Sequence, residues 1–265
     1  LPFQQMFLST SADQTTRLHL ECSKIAPGLW HEIARPQIHG YDIKCASFIS
    51  TSNSLRFVSG ADEKCLRVFE GTKMFLHLLN DLTETDEPSY SILMQQLKTI
   101  GANVPALGLS NKAMENDPNG DNHQSQSYTD TSHFANFSSS SPSPTFKTAI
   151  PIESELSNAT LWPEIDKLYG HVFEIFSISQ SSQMQRIAST SKSFKSEFGN
   201  ILLWNSVTFQ LEQTLPAIHS LTVTKTAFSP GLGHFLLSVS RDRSLALFEW
   251  TSGEGNEGEY HFIER

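Results

Sequence analysis

The strongest constraint on the fold is a pattern that returns along the chain. Residues 235–250, FLLSVSRDRSLALFEW, are two apolar strands around a polar turn, Ser240-Arg241-Asp242-Arg243. A lone hairpin cannot bury its own apolar face, so it must stack on another layer. Relatives of the hairpin stand at 7–20 (FLSTSADQTTRLHL) and 55–70 (LRFVSGADEKCLRVFE). A version with a longer turn stands at 186–205 (RIASTSKSFKSEFGNILLWN). Three of the four follow a second recurring piece: HGYDIKCASFIS at 39–50, GHVFEIFSISQ at 170–180 and HSLTVTKTAFSP at 219–230. Each opens on a His and continues as a strand of period-two alternation.

The closing positions of the hairpins are His19, Phe69, Trp204 and Phe248, in steps of 50, 135 and 44 residues. Two of these steps fit the roughly 40–45-residue period of a four-stranded repeat unit. The middle step is one unit plus about 90 further residues. The pattern resembles the WD-repeat family through Gly170-His171 opening a unit and Asn200-Ile-Leu-Leu-Trp204 closing it. Ser238 with Asp242, and Ser9 with Asp13, fit its second strand and turn.

The resemblance implies an all-β fold of about four WD-repeat β-propeller blades. It also implies a hydrogen-bond relay inside each blade, in which an opening His, a strand Ser, a turn Asp and a closing Trp satisfy one another. The relay positions are Ser9, Asp13, His39, Ser59, Asp62, His171, Trp204, His219, Ser238 and Asp242. The sequence departs from the pattern in three places. Phe69 and Phe248 replace the closing Trp, Glu63 occupies the turn beside Asp62, and the Trp204 blade has no clear turn Asp. Such blades are expected to lean on packing more than on the relay.

Residues 71–160 differ in kind, with ten acids against four bases. KMFLHLLNDL at 73–82 predicts a short helix with Phe75, Leu78, Leu79 and Leu82 on one face. VPALGLS at 104–110 predicts an edge strand at Pro105. Residues 113–157 are rich in Ser, Thr, Asn, Asp and Pro, and are expected to be disordered. LWPEIDKLYGH at 161–171 reads as a fresh start, with Trp162 and Tyr169 at the entry to a new blade. The composition shift fits a surface insertion or a boundary between two units. The expected division is therefore 1–70 as two blades, 71–112 as a connection, 113–157 as a loop, 158–250 as two further blades and 251–265 as a tail.

Composition narrows function. A net charge of −9 over 265 residues argues against non-specific nucleic-acid binding by the whole chain. Cys22, Cys45 and Cys65 are odd in number and lack Cys-x-x-Cys spacing, which predicts buried thiols in a reducing compartment. No apolar run approaches the roughly 20 residues that span a bilayer. Leu1-Pro2-Phe3 lacks the basic start of a secretory signal, and an opening without Met makes a partial chain the expectation. GEGNEG at 253–258 follows a strand without opening a helix, and its Glu254 and Glu257 would repel a pyrophosphate. The ten His are scattered, with His39, His171 and His219 at blade starts, so no metal, cofactor or catalytic set is expected.

Four stretches carry a narrower resemblance. SGADEKCLRVFEGTKMFL, VPALGLSNKA, LWPEIDKLYGHVFEIFSIS and HSLTVTKTAFSP with FLLSVSRDRSLALFEW together resemble the family of the second subunit of the Elongator complex, in the same order along the chain. VPALGLSNKA and LWPEIDKLYGH lie outside the repeat consensus, which makes the match specific. The resemblance implies two adjacent seven-bladed propellers, with this chain holding the last blades of one and the first of the other. It implies a non-catalytic scaffold whose partners are the largest subunit and the catalytic acetyltransferase/radical-SAM subunit. The complex modifies the wobble uridine of tRNA, in the cytoplasm and also the nucleus. The alternative is a WD-repeat adaptor for another assembly, such as a ubiquitin ligase or a vesicle coat. A third reading is direct RNA binding by Arg17, Arg56, Arg67, Arg241 and Arg243. Lys192, Lys195, Arg241 and Arg243 are the candidate contacts to a partner or to RNA phosphate, and 192–198 (KSFKSEF) is the candidate contact loop.

Overall fold

The computed structural model describes residues 6–49, 55–84, 87–104, 110–114, 150–252 and 258–265. They form four antiparallel meanders. Sheet 1 is β1 (Met6–Thr10), β2 (Thr15–Glu21) and β3 (Trp30–Ile38). Sheet 2 begins with β4 (Ile43–Ile49), β5 (Arg56–Ala61) and β6 (Cys65–Glu70). The insertion then supplies α1 (Lys73–Leu82), α2 (Glu87–Gln96), the ribbon β7 (Gly101–Asn103) with β8 (Lys112–Met114), and α3 (Glu153–Leu156). β9 (Glu164–Tyr169) returns to pair with β6 as the fourth strand of sheet 2. Sheet 3 is β10 (Ile175–Ser181), β11 (Arg186–Ser191), β12 (Ile201–Asn205) and β13 (Leu211–Leu215). Sheet 4 is β14 (Val223–Phe228), β15 (Phe235–Ser240), β16 (Leu245–Ser252) and β17 (Gly258–Glu264).

The sheets stack in chain order, which explains their composition. A sheet between two others is covered on both faces, so its middle strands bury nearly every residue. β5 (RFVSGA) and β11 (RIASTS) are such strands, and small Ser, Gly and Ala fill the rows where neighbours come close. At Gly60 an added Cβ would run into the Ile175 side chain of the next sheet. Three apolar clusters mark the three junctions. Leu18, Leu20, Ile33, Phe57, Phe69 and Trp162 lie between sheets 1 and 2. Ile49, Val58, Leu66, Ile175, Ile187 and Trp204 lie between sheets 2 and 3. Ala188, Leu203, Val223, Leu236, Phe248 and Tyr260 lie between sheets 3 and 4.

The insertion is tied to the first junction. Thr72 caps α1 by accepting from Phe75 N at 3.2 Å, and Phe75, Leu78, Leu79 and Leu82 are buried in the cluster of sheets 1 and 2. Trp162 is fully buried, 5.0 Å from Phe75 and 5.5 Å from Phe57 between ring centroids. Its backbone N–H donates to Pro36 O at 2.9 Å, and Asn111 Nδ2 donates to both Pro36 O and Trp162 O. Thus Asn111 and Trp162, on either side of residues 115–149, clasp the same carbonyl of β3.

Several expectations change here. The strand pairing does not draw a division between residues 1–70 and 158–250. The insertion falls inside sheet 2, between β6 and β9, and β10 packs onto sheet 2 through Ile175. A composition shift marks an insertion between two strands of one sheet as readily as a boundary. Trp162 accordingly seals a junction already formed, while Tyr169 is 69% exposed. Within the stretch expected to be disordered, residues 113–114 belong to β8 and residues 153–156 form α3, held by Leu156 burial and by Arg35 Nη1 donating to Glu153 Oε1 at 2.5 Å. Residues 115–149 lie outside the described residues, as do 105–109 of the expected edge strand and 253–257 of GEGNEG. The expected tail at 251–265 is in part β17, whose Tyr260 is buried.

Trp162→Ala is expected to lower stability by about 3–5 kcal/mol, the cost of emptying a large aromatic site. Denaturant unfolding would measure it. A change below 1 kcal/mol would mean the Trp162 ring does not hold sheets 1 and 2 together.

Candidate functional site

The β1–β2, β5–β6 and β11–β12 turns each bear on the next sheet, and the candidate residues lie in or behind these and the β15–β16 turn. Two of these turns are congruent. Ser11 N donates to Thr15 O and Gln14 N to Ser11 O; Ser240 N donates to Ser244 O and Arg243 N to Ser240 O. Asp13 N and Asp242 N each donate to the preceding Ser hydroxyl at 3.2 Å. Gln14 and Arg243 both take the left-handed backbone region, at φ 69° and 67°. Neighbouring sheets join through the same turns: Ile43 N donates to Ser11 O, Ile175 N to Glu63 O, and Thr222 Oγ1 to Ser193 O.

The polar groups behind each turn are solved differently. In sheet 3, His171 Nε2 lies 2.7 Å from Ser189 Oγ, and Trp204 Nε1 donates to the same oxygen at 2.8 Å. Burial holds His171 near a pKa of 4, so the ring is neutral. Ser189 was not singled out from sequence. It follows its His by 18 residues, as Ser238 follows His219 by 19 and Ser59 follows His39 by 20, and that spacing was the available signal.

In sheet 4, His219 Nε2 lies 2.8 Å from Ser238 Oγ and its Nδ1 lies 2.9 Å from Ser244 Oγ. Asp242 Oδ1 accepts from Ser244 Oγ at 2.6 Å and from Ser244 N at 3.0 Å, and Oδ2 from Ser220 N at 2.9 Å. The structure thus brings Asp242, His219 and Ser238 into one chain of contacts through Ser244. Burial works against the Asp242 charge, but the donors from Ser244 and Ser220 outweigh it and hold the carboxyl well below its usual range. Burial also lowers His219.

Sheet 2 uses other chemistry. His39 Nε2 is 3.2 Å from Glu63 Oε1, and Ser59 is buried on β5. Arg67 grips Glu63 with Nε at 2.6 Å and Nη2 at 2.8 Å, and reaches Glu164 Oε2 with Nη1 at 2.6 Å. Burial opposes the Glu63 charge, yet Arg67 and His39 hold its carboxyl at about 2. Asp62 faces away from His39 and pairs with Lys44 at 3.2 Å and Lys192 of sheet 3 at 2.9 Å. In sheet 1, Ser9 Oγ donates to Arg17 O at 3.5 Å. The Thr15 hydroxyl leads the donors that hold Asp13 at about 2, and Arg17 pairs with it at 2.7 Å.

The basic residues sort into two sets. Arg67 is buried between two carboxylates, Arg56 pairs with Glu70 at 2.6 Å, and Arg17 bridges Asp13 and Glu32. Their place among the outward RNA contacts is therefore corrected: the sheets consume them. Lys192 is likewise engaged with Asp62. Arg241, Arg243 and Lys195 remain exposed. The thiols are free; Cys22 and Cys65 are buried, and burial pushes Cys45 up to about 12 and Cys65 to about 11. Among the described residues no group of three His, Cys, Asp or Glu side chains is placed to hold a metal ion, and no helix is long and apolar enough to cross a membrane.

Antiparallel meanders stacked face to face, two of them with a His–Ser hydrogen bond behind the turn and three with Phe69, Trp204 or Phe248 closing a strand, define blades of the WD-repeat type. No family profile matches the chain. Among curated proteins it is 41% identical over 252 residues to Elongator complex protein 2 of Homo sapiens, covering 94% of this chain and 30% of that protein. The figures for Elongator complex protein 2 of Saccharomyces cerevisiae are 38% over 262 residues, with 94% and 30% coverage. For that of Arabidopsis thaliana they are 37% over 257 residues, with 92% and 30%. The chain belongs to the Elongator complex protein 2 family and spans about 30% of the length of these relatives.

Ser189→Ala would leave the Trp204 and His171 nitrogens buried without their shared partner, at a cost of about 1–3 kcal/mol. Trp204→Phe is expected to cost less in the Ser189→Ala background than alone, and a double-mutant cycle by denaturant unfolding reads the difference. Strict additivity would show that the hydrogen bond carries no coupling. The pH dependence has a definite sign. Below 6.5 an unfolded His171 takes up a proton that the folded ring refuses until about 4. Stability should therefore fall as pH drops through that window, by on the order of 1–3 kcal/mol, with His219 adding in the same direction. His171→Gln should flatten the slope; an unchanged slope would contradict the assignment.

Proposed function

We propose that this chain is part of a non-catalytic scaffold that organises the Elongator complex. In this reading it helps hold the largest subunit and the catalytic acetyltransferase/radical-SAM subunit together for modification of the tRNA wobble uridine. Work on tRNA places the protein in the cytoplasm, with a nuclear pool as the further expectation. One observation carries the proposal: relatives from animals, fungi and plants, matched across more than nine-tenths of this chain, bear the name of an Elongator complex protein. The fate of the polar groups supports it. His171, His219, Glu63 and Asp242 are turned into the sheets and engaged with one another's neighbours, which suits a rigid support better than a reactive centre. The engagement of Arg17, Arg56 and Arg67 in ion pairs supports the reading that tRNA contact by this segment is indirect or weak.

The test is affinity purification of the full-length protein from its own cells, with co-purifying chains identified by mass spectrometry. Stoichiometric recovery of the largest and the radical-SAM subunits is expected. A reproducible set of other partners, such as ubiquitin-ligase or coat subunits, would overturn the proposal.

A further inference from the structure

The longest of the turns, residues 192–199 between β11 and β12, presents its aromatic residue to solvent. Phe194 is 75% exposed, the highest value among the large apolar side chains described. The loop beneath it is nonetheless fixed at many points. Lys192 N donates to Glu174 O at 2.8 Å, and Lys192 Nζ pairs with Asp62 of the preceding sheet. Ser193 N donates to Thr222 Oγ1 at 2.9 Å, and that hydroxyl donates back to Ser193 O. Phe198 packs edge-on against Phe173 at 5.2 Å, and Gly199 lies against His219 O, where a Cβ would clash.

Those same anchors bring other exposed groups alongside. Glu174 and Phe173 adjoin Val172, which is 52% exposed. Thr222 adjoins Leu221, 38% exposed, and accepts at its carbonyl from Arg241 N at 3.0 Å. The exposed Phe194, Val172 and Leu221 thus sit on a strip of mutually bonded segments, which the Arg241–Arg243 turn joins through the Arg241 N–H. The acids behind those arginines are already engaged: Asp62 by Lys44 and Lys192, and Asp242 by Ser220, Ser244 and Arg265. Glu174 and Glu197 belong to the same bonded segments, with Lys195 Nζ 3.8 Å from Glu197.

We propose that this strip is a docking surface for a linear peptide that seats an apolar side chain against Phe194 and places carboxylates on Arg241 and Arg243. The chain carries a net charge of −9, so an acidic partner is repelled elsewhere and attracted here. Glu174 and Glu197 fix the direction, since a carboxylate set on their side would be repelled. A ring held on a pinned loop loses little entropy on binding, the property of an interface anchor. The proposal deepens the scaffold reading by naming a surface through which it would hold a partner.

The full chain, immobilised, is panned against a random twelve-residue peptide display library. Enriched peptides are then measured by fluorescence anisotropy. Enrichment of sequences with Asp or Glu next to an aromatic or aliphatic residue is expected. Phe194→Ala should weaken them at least tenfold, as should the Arg241→Glu, Arg243→Glu pair, which should also remove the salt dependence. Both sites are exposed, and matched thermal melts show that the variants remain folded. No such enrichment, or binding indifferent to both variants, would overturn the proposal. So would binding of labelled oligouridylate at these residues without any peptide. If panning yields the motif while co-purification finds no Elongator subunits, the surface stands and the Elongator role falls.

Discussion

The Arg67 guanidinium, almost shut off from water, lies between Glu63 and Glu164, and the second sheet depends on it. Glu63 belongs to the turn just before β6; Glu164 opens β9, 97 residues further along the chain from Arg67. One side chain therefore fixes where the insertion leaves the sheet and where it returns. A buried charge that loses one partner typically costs 3–5 kcal/mol, so neither carboxylate can be dropped alone. The clasp of Asn111 and Trp162 on Pro36 O performs the same task for the backbone. Charge and main chain together let a sheet be interrupted and still close.

The same space behind the turn is filled by four chemistries. Sheet 3 has His, Ser and an indole with no acid; sheet 4 has His, two Ser and Asp with no indole. Sheet 2 uses a His–Glu–Arg lattice, and sheet 1 an Asp–Arg pair nearer solvent. What recurs is a polar or charged counterpart close by, whatever its identity, a hydrogen bond in sheets 3 and 4 and the 3.2 Å His39–Glu63 contact in sheet 2. This freedom explains how the turns keep one backbone form while their outward residues diverge.

Much of this was legible in the residues. Period-two strands, their spacing and the helix at 73–82 follow from local pattern, and recurrence alone singled out His171, His219, Ser238 and Asp242. Ser189 escaped notice because RIASTS offers three hydroxyls in one strand, and only its distance from His171 distinguishes it. The inward turn of Glu63, with Asp62 aimed at Lys192 of the next sheet, is set by the neighbouring sheet and leaves no trace in local sequence. The pairing of β9 with β6 is likewise a long-range choice. Arg67 looked like any strand arginine until its two carboxylates came together across the insertion. β17 was hidden by the Gly- and Glu-rich stretch before it.

The junctions between sheets have a mechanical consequence. Each joins a turn to the neighbouring sheet through a few directed bonds, as at Ile43 to Ser11, Ile175 to Glu63 and Thr222 to Ser193. Load applied to one end of the stack must pass through these junctions one after another. They are not equally strong. The first is reinforced by Trp162, Asn111 and Arg35, whereas the third relies on bonds such as Thr190 to Val223 and on Arg186 stacked 4.0 Å from the Trp250 ring. A pull on the fourth sheet therefore reaches the second only through the third junction and then through the one before it, and the weaker of the two sets the load that gets through.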